Sequence, residues 1–244
     1  MADVELAFYI LLPIVAFLYA SVGHGGASGY LALMSVFAFA PTVMKPTALV
    51  LNILVSSISF WQFQRKASIN WNLFLILVLA SIPAAYIGGS ISLDNKLYRQ
   101  ILGFILFFPI IRLTGFMKEE EKLGRPFNIP LALFLGASIG FLSGLIGIGG
   151  GIILSPILLF LGWTNFKETS ALSALFILVN SIAGIFGAQK IGVEFTNQMI
   201  LFIVLAMLGG IIGAFLGAQK FNLKTLRILL AVVLFIAATK LIYT

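Results

Sequence analysis

Residues 20–30 read ASVGHGGASGY and residues 143–153 read SGLIGIGGGII, two glycine-rich breaks inside strongly apolar sequence. Glycine weakens a helix, but it allows a positive φ and lets another group approach the backbone closely. Each break is followed by an apolar segment of about 13 residues, whereas a helix needs about 20 residues to cross a bilayer. The breaks therefore predict two interrupted or re-entrant units, because irregular backbone is tolerated in a membrane only where protein or a water-filled cavity surrounds it.

The composition around the breaks is that of a polytopic membrane protein. The chain has 244 residues, of which 61% are hydrophobic and 9% are charged, whereas soluble globular chains have about 25% charged residues. It contains no cysteine, which excludes disulfides and thiolate metal sites. The first ten residues carry acids where a signal peptide would carry bases, so the first segment is expected to stay in the mature protein.

Ten apolar segments follow one another along the chain, and we expect each of them to be helical. Alternating loops place ten Lys and Arg residues on one side and five on the other, so the positive-inside rule predicts both termini outside the cytoplasm. Charge counting does not separate ten spans from six spans plus two re-entrant pairs, because both leave these loops on the same sides. The predicted segments are 4–20, 28–40, 46–63, 71–92, 98–115, 129–147, 151–163, 169–188, 196–218 and 223–243.

The two halves of the chain are related in sequence. We predict a first repeat at 1–115, a cytoplasmic linker at 116–128 and a second repeat at 129–244, together forming one membrane domain. The predicted fold class is an all-α polytopic membrane protein of two inverted repeats with about five apolar segments each, an architecture typical of secondary transporters. A shift of 124 residues aligns Gly23, Gly25 and Gly26 with Gly147, Gly149 and Gly150.

The paired breaks predict a binding site for a small anion at mid-membrane. A helix that begins after a break presents unpaired N–H groups and the positive end of its dipole to the break, and two such ends suit an anion. His24, the only histidine, is a candidate for anion contact and for carrying a coupling proton. The predicted substrate-binding residues are Ser21, Gly23, His24, Gly25, Gly26, Ser28, Asn52, Gly147, Gly149, Gly150, Thr169 and Ser170.

Other glycines are predicted to pack helices rather than to bind a ligand. Lys45 and Lys167 lie near predicted membrane ends, so their ammonium groups are expected to reach the interface. Glycines spaced by four join helices both within and between protomers, so the sequence leaves open whether the chain forms a homo-oligomer. The glycines spaced by four are Gly136, Gly140 and Gly144 in one segment and Gly209, Gly213 and Gly217 in another.

Several functional classes are disfavoured by what the sequence lacks. No acidic residue lies in the middle of a predicted span, which argues against a carboxylate-relay pump and a carboxylate-rich cation site. The HExxH and GxxxxGK[ST] patterns are absent, so we expect no enzyme activity, no cofactor and no metal. The net charge of +7 is carried by short loops, where it sets topology, so nucleic acid is not an expected partner.

At its breaks the chain resembles the sulfite exporter TauE/SafE family of membrane permeases. SGLIGIGGGIILSPILL at 143–159 looks like the family's second glycine-rich unit with its proline, and KETSAL at 167–172 is also similar to the family. YASVGHGGASGYLAL at 19–33 is similar but departs at His24 and Ala27. The resemblance extends over essentially the whole chain and adds Gly151 to the candidate site. It implies transport of sulfite, related sulfur oxyanions or organosulfonates, mostly by export.

These observations together predict a secondary transporter of the plasma (inner) membrane that exports a small sulfur-containing anion. An interior-negative potential drives each negative charge outward by about 2.3 kcal/mol per 100 mV. The expected partners are the anion and the lipid bilayer. Three alternatives stay open: a channel for anions or small solutes, a permease for sulfonate uptake, and a membrane scaffold that transports nothing.

Overall fold

A computed structural model describes residues 2–21, 25–65, 68–113, 126–190, 197–217 and 224–243. These residues form ten α-helices and no strand, one helix for each predicted apolar segment, so the all-α fold class is confirmed. The helices are α1 (Ala2–Ala20), α2 (Ala27–Val36), α3 (Pro41–Gln64), α4 (Trp71–Gly89), α5 (Asn95–Leu113), α6 (Ile129–Ile146), α7 (Gly151–Leu161), α8 (Phe166–Gln189), α9 (Asn197–Gly217) and α10 (Lys224–Tyr243).

Five of the described helices are long and apolar enough to cross a membrane, namely α3, α4, α6, α8 and α9. In contrast, α2 has 10 residues and α7 has 11. At the helical rise of 1.5 Å per residue, each of these two short helices extends about 15 Å. That length is about half of a hydrocarbon core of about 30 Å, as expected for segments that enter a membrane without crossing it.

Two central helices begin earlier in the sequence than the apolar pattern predicts. α3 starts at Pro41, where proline is favoured because its missing N–H has no helical partner at that position. α8 starts at Phe166, and the side chain of Asn165 caps it by accepting a hydrogen bond from the backbone N–H of Glu168 at 2.9 Å. The first turn of α8 is polar, and α3 has Thr42, Lys45 and Pro46 near its start, which is why hydropathy alone places both starts too late.

Each short helix turns back along the helix that precedes it. The Ser28 hydroxyl at the start of α2 donates to the Tyr19 hydroxyl near the end of α1 at 2.6 Å. At the other end, the ring of Phe8 in α1 packs against Phe37 just after α2, with centroids 5.5 Å apart. The α1–α2 pair is therefore a helical hairpin whose tip is the first break.

The second half contains a matching hairpin. Phe127, just before α6, packs its ring against Trp163, just after α7, with centroids 6.1 Å apart. The beginning of α6 thus lies beside the end of α7, and the second break forms the tip between them. Both hairpins agree with the re-entrant alternative, and the number of membrane crossings stays a prediction.

The corresponding helices α3 and α8 run antiparallel through the centre of the protein. The Lys45 ammonium near the start of α3 donates to the Gly89 carbonyl at the end of α4, whereas Glu168 at the start of α8 accepts from the Asn70 N–H just before α4. This antiparallel course is what inverted repeats require. The orientation of the repeats in a bilayer and their bounds stay predictions, and most of the linker at 116–128 lies outside the described residues.

The main helix contacts follow the duplication. α1 packs on α9 just as α6 packs on α4, and α3 packs on α9 just as α8 packs on α4. α3 with α8 and α5 with α10 are pairs of corresponding helices. The first helix of each hairpin is thus bound to a helix of the opposite half.

The four-spaced glycines make these contacts between the halves, which confirms their predicted packing role. The contacts join helices within one chain. A Cβ on five of the six would overlap a backbone carbonyl oxygen of the facing helix, so the helix axes approach as closely as glycine permits, and the packing of Gly217 lies outside the described part of the chain. The glycine–carbonyl pairs are Gly136–Leu77, Gly140–Ser81 and Gly144–Ala85 between α6 and α4, and Gly209–Pro13 and Gly213–Phe17 between α9 and α1.

Candidate functional site

The two glycine breaks meet at Asn52 of α3 and Ile177 of α8. A Cβ on Gly25 would lie 2.7 Å from Asn52 Oδ1 and 2.9 Å from Ile177 Cγ2. A Cβ on Gly149 would lie 2.6 Å from Asn52 Nδ2 and 2.7 Å from the same Ile177 carbon. The crossing of α3 and α8 therefore brings the tips of both hairpins together, and we call this junction the paired-break site.

The backbone of the breaks explains their glycine content. Gly26 and Gly150 are the N-cap residues of α2 and α7, with φ of 93° and 77°. Gly147, the C-cap of α6, has φ of 91°, and Gly149 has φ of 74°. Side chains other than glycine pay about 1–2 kcal/mol in this left-handed region, so three of the five residues in GIGGG are needed for the course of the backbone.

Asn52 joins the first break to the opposite half. Its side chain is fully buried, and its Oδ1 accepts from the backbone N–H of Ala27, the first residue of α2, at 3.0 Å. Its Nδ2 donates to Ser181 Oγ on α8 at 3.3 Å. The amide has a second hydrogen, for which the described residues supply no acceptor, so it can donate to a ligand at the junction.

A small cavity of about 10 Å³ lies between the two breaks. This volume holds about one water molecule, which is less than a sulfur oxyanion requires. Both halves contribute to the lining: Tyr19, Gly26, Ala27 and Ser28 from the first, and Ile148, Ile152 and Ile177 from the second.

The other predicted glycines lie around this junction. A Cβ on Gly151 would lie 2.5 Å from Ile177 Cδ1, and one on Gly150 would lie 3.5 Å from Ser143 Cβ. Gly147 faces away from the junction, since its Cβ would lie 3.0 Å from the Lys45 carbonyl oxygen. The predictions for Gly23 and His24 fall outside the described residues.

Four predicted hydroxyl residues are engaged elsewhere or lie away from the junction. Ser21 Oγ donates to the carbonyl of Leu18 in its own helix at 2.7 Å, and Ser28 pairs with Tyr19 as described above. Thr169 Oγ1 shares a hydrogen bond of 2.7 Å with Thr164 Oγ1. Thr169 and its neighbour Ser170 are in the first turns of α8, about 12 Å along the helix from Ile177.

The site includes residues that are absent from the sequence-based set, among them Ile177, Ser181 and Tyr30. Tyr30 is fully buried, its hydroxyl has no partner among the described residues, and this oxygen would lie 2.6 Å from a Cβ on Gly26. Its signal in the sequence is its place four residues after the break, because helical side chains point back toward the N-terminus. Ser181 has a weaker signal as a polar residue in an apolar segment, and Ile177 has none.

Lys45 is buried, unlike Lys167. Its side chain is 6% exposed, and its ammonium donates to the carbonyl oxygens of Gly89 at 2.8 Å and Ile91 at 3.2 Å. The ammonium is thus held against the end of α4 instead of facing solvent, whereas Lys167 is exposed. The expectation that both ammonium groups reach the membrane interface stays a prediction.

Known proteins similar to this chain are named as probable membrane transporters. The family model described as Sulfite exporter TauE/SafE matches residues 8–241. The chain is 36% identical over 98% of its length to the "Probable membrane transporter protein y4hK" of Sinorhizobium fredii, 96% of which is covered. It is 26% identical over 90% of its length to the "Probable membrane transporter protein YjnA" of Bacillus subtilis, 92% of which is covered. No solved structure matches the chain.

The family match covers nearly the whole chain, and the match to the Sinorhizobium protein is full-length in both sequences. The resemblance seen at the glycine breaks is thereby confirmed, and the apolar helices agree with a multi-pass membrane location. The chain belongs to the sulfite exporter TauE/SafE family of membrane transporters.

Proposed function

We propose that this protein is a secondary transporter that exports a small sulfur-containing anion, such as sulfite or an organosulfonate, and that the anion binds at the paired-break site. The observation that carries this proposal is the contact of both breaks with Asn52. The family description names sulfite export, and it supports the choice of substrate class. Transport rather than catalysis is the activity proposed.

The chemistry of the paired-break site suits an anion. The first turns of α2 and α7 leave backbone N–H groups without intrahelical acceptors, and their dipoles favour negative charge. The Asn52 amide adds a side-chain donor beside them. No Asp or Glu side chain is buried in the described part of the chain, so no carboxylate there opposes an anion.

Replacing Asn52 with leucine is expected to weaken anion binding about tenfold or more, because hydrogen bonds to charged groups contribute about 1.5–3 kcal/mol each. The measurement is a thermal-shift titration of purified protein with sulfite, thiosulfate, sulfoacetate, sulfate and chloride at constant ionic strength. Counterflow of the anion that binds best, in proteoliposomes, then tests transport. Binding of sulfur anions by the parent protein and its loss in the variant are the expected results.

The matched control is Asn180→Leu. Asn180 is also a fully buried asparagine in an apolar helix, but its Nδ2 donates to the Phe176 carbonyl in its own helix. This control is expected to bind anions like the parent. Equal binding by the Asn52 and Asn180 variants would contradict the site, and no response of the parent to any sulfur anion would contradict the substrate class. Saturable counterflow separates a transporter from a channel.

The proposed orientation has both termini outside the cytoplasm, and the cysteine-free sequence makes it testable. Ser68, between α3 and α4, and Ser92, between α4 and α5, are both exposed. A cysteine at position 68 is expected to react with a membrane-impermeant maleimide only after the cells are opened. A cysteine at position 92 is expected to react in intact cells, and the reverse pattern would overturn the orientation.

A further inference from the structure

Lys45 is the only charged side chain that is buried among the residues described. Charged groups inside a membrane are costly and mark functional positions by default. The contacts described above assign it no part in the paired-break site, so its position relative to the breaks is the relevant question.

Lys45 and Asn52 lie on the same side of α3 and contact the same break. They are seven residues apart, which is two helical turns or about 10 Å along the axis. A Cβ on Gly147 would lie 3.0 Å from the Lys45 carbonyl oxygen and 3.4 Å from its Cγ, whereas Gly149 faces Asn52. The second break therefore runs along α3 from Lys45 to Asn52.

The partners of the Lys45 ammonium leave its charge uncompensated. Both of its hydrogen-bond acceptors in the described part of the chain are carbonyl oxygens at the end of α4. The end of a helix carries about half of a negative charge, less than the full charge of a carboxylate. A net positive charge thus remains on a residue that lies two turns, or about 10 Å of helical rise, before Asn52 on α3, in an interior where charges are poorly screened.

We propose that Lys45 is the residue that makes the paired-break site selective for anions. Its charge acts on the substrate through space, while the helix N-termini and Asn52 make the direct contacts. This inference rests on the proposed function and deepens it, because it predicts that affinity increases with the number of negative charges on a substrate of given size.

The experiment compares two sulfonates of similar size, the dianion sulfoacetate and the monoanion isethionate, in binding titrations with parent and variants. Lys45→Gln keeps a hydrogen-bond donor for the α4 carbonyls but removes the charge. It is expected to weaken isethionate binding about tenfold at an effective dielectric constant of about 20, and sulfoacetate binding by a larger factor. Lys45→Arg keeps the charge and is expected to bind both like the parent.

Lys240→Gln is the matched control. Lys240 also donates to carbonyl oxygens at a helix end, those of Ser35 and Val36 in the last turn of α2, but its side chain is exposed and solvent screens its charge. This variant is expected to bind both sulfonates like the parent. A purely structural role for Lys45 predicts equal losses for the two sulfonates instead.

A second variant covers the case in which Lys45→Gln fails to fold. Thr42 is exposed and lies one turn before Lys45, so Thr42→Glu places a carboxylate within reach of the ammonium without altering α4. It is expected to weaken sulfoacetate binding about threefold relative to Thr42→Gln, by partial compensation of the charge.

The outcomes separate the two proposals. If the parent binds sulfur anions and the Lys45→Gln and Thr42→Glu variants keep the parent's preference for sulfoacetate over isethionate, the role of Lys45 is overturned and the proposed function stands. If the parent binds neither sulfonate nor sulfite, both proposals fail.

Discussion

Gly144→Ala is expected to destabilise the protein by about 3 kcal/mol or more. This value is near the upper end of the destabilisation that overpacking of an interior typically causes. The new Cβ would overlap the Ala85 carbonyl oxygen and lie 2.8 Å from the Gly89 backbone nitrogen. Both are backbone atoms, so the clash cannot be relieved by a rotamer change, and α4 and α6 must separate. The measurement is the thermal midpoint in detergent, expected to fall by about 10 °C.

Gly184→Ala is the control for this substitution. Gly184 is also a helical glycine between packed helices, but its Cβ would lie 3.3 Å from Leu49 Cδ2, the end of a flexible side chain, and 3.4 Å from Gly144 Cα. Both substitutions gain the same intrinsic helix propensity of about 1 kcal/mol. A thermal midpoint for Gly144→Ala within about 2 °C of that for Gly184→Ala would contradict the close α4–α6 packing.

Gly149→Ala is expected to reduce transport about hundredfold while most of the protein stays folded. The substitution strains a residue with φ of 74° and places a methyl group 2.6 Å from Asn52 Nδ2. Asn52 then has to leave Ser181 and Ala27, and the substrate loses its side-chain donor together with an ordered break. Loss of hydrogen bonds worth about 3 kcal/mol to a charged ligand corresponds to about a hundredfold change. Initial counterflow rates in proteoliposomes measure the effect.

Gly162→Ala controls for the backbone strain. Gly162 is the C-cap of α7 with φ of 69°, so alanine meets the same left-handed conformation there. It lies at the opposite end of α7 from the break, about 16 Å along the helix. Transport near the parent rate is expected for this variant, and an equal loss at positions 149 and 162 would show that strain rather than the Asn52 contact is responsible.

The helices and the central asparagine were accessible to sequence analysis because each leaves a local signal. Apolar runs located all ten helices, and Asn52 belongs to the sequence-based set of candidate residues. Glycines at two matching places pointed to the two tips that meet in the structure. These features depend on a few neighbouring residues, so the sequence records them directly.

The features that were missed depend on distant contacts or on helix phase. The sequence left open whether α2 crosses the membrane or returns along α1, because the return depends on the packing of Phe8 against Phe37, which no hydropathy window detects. Thr169 comes soon after the second break in sequence. However, α7 lies between them and leads away from the junction, so Thr169 at the start of α8 is far from the junction in space. Ile177 is an ordinary apolar residue whose importance comes only from the crossing of α3 and α8.

The glycine contacts between α1 and α9 and between α6 and α4 have a consequence for how such a protein can move. Each contact holds the first helix of a hairpin against the opposite half of the chain, so the two predicted repeats are not separate rigid bodies. Any opening of the junction at Asn52 would therefore separate two bodies that each contain helices from both halves. The second half expressed alone would expose the glycine faces of α6 and α9, because their partner helices α4 and α1 belong to the first half. Only co-expression of both halves would restore a functional protein.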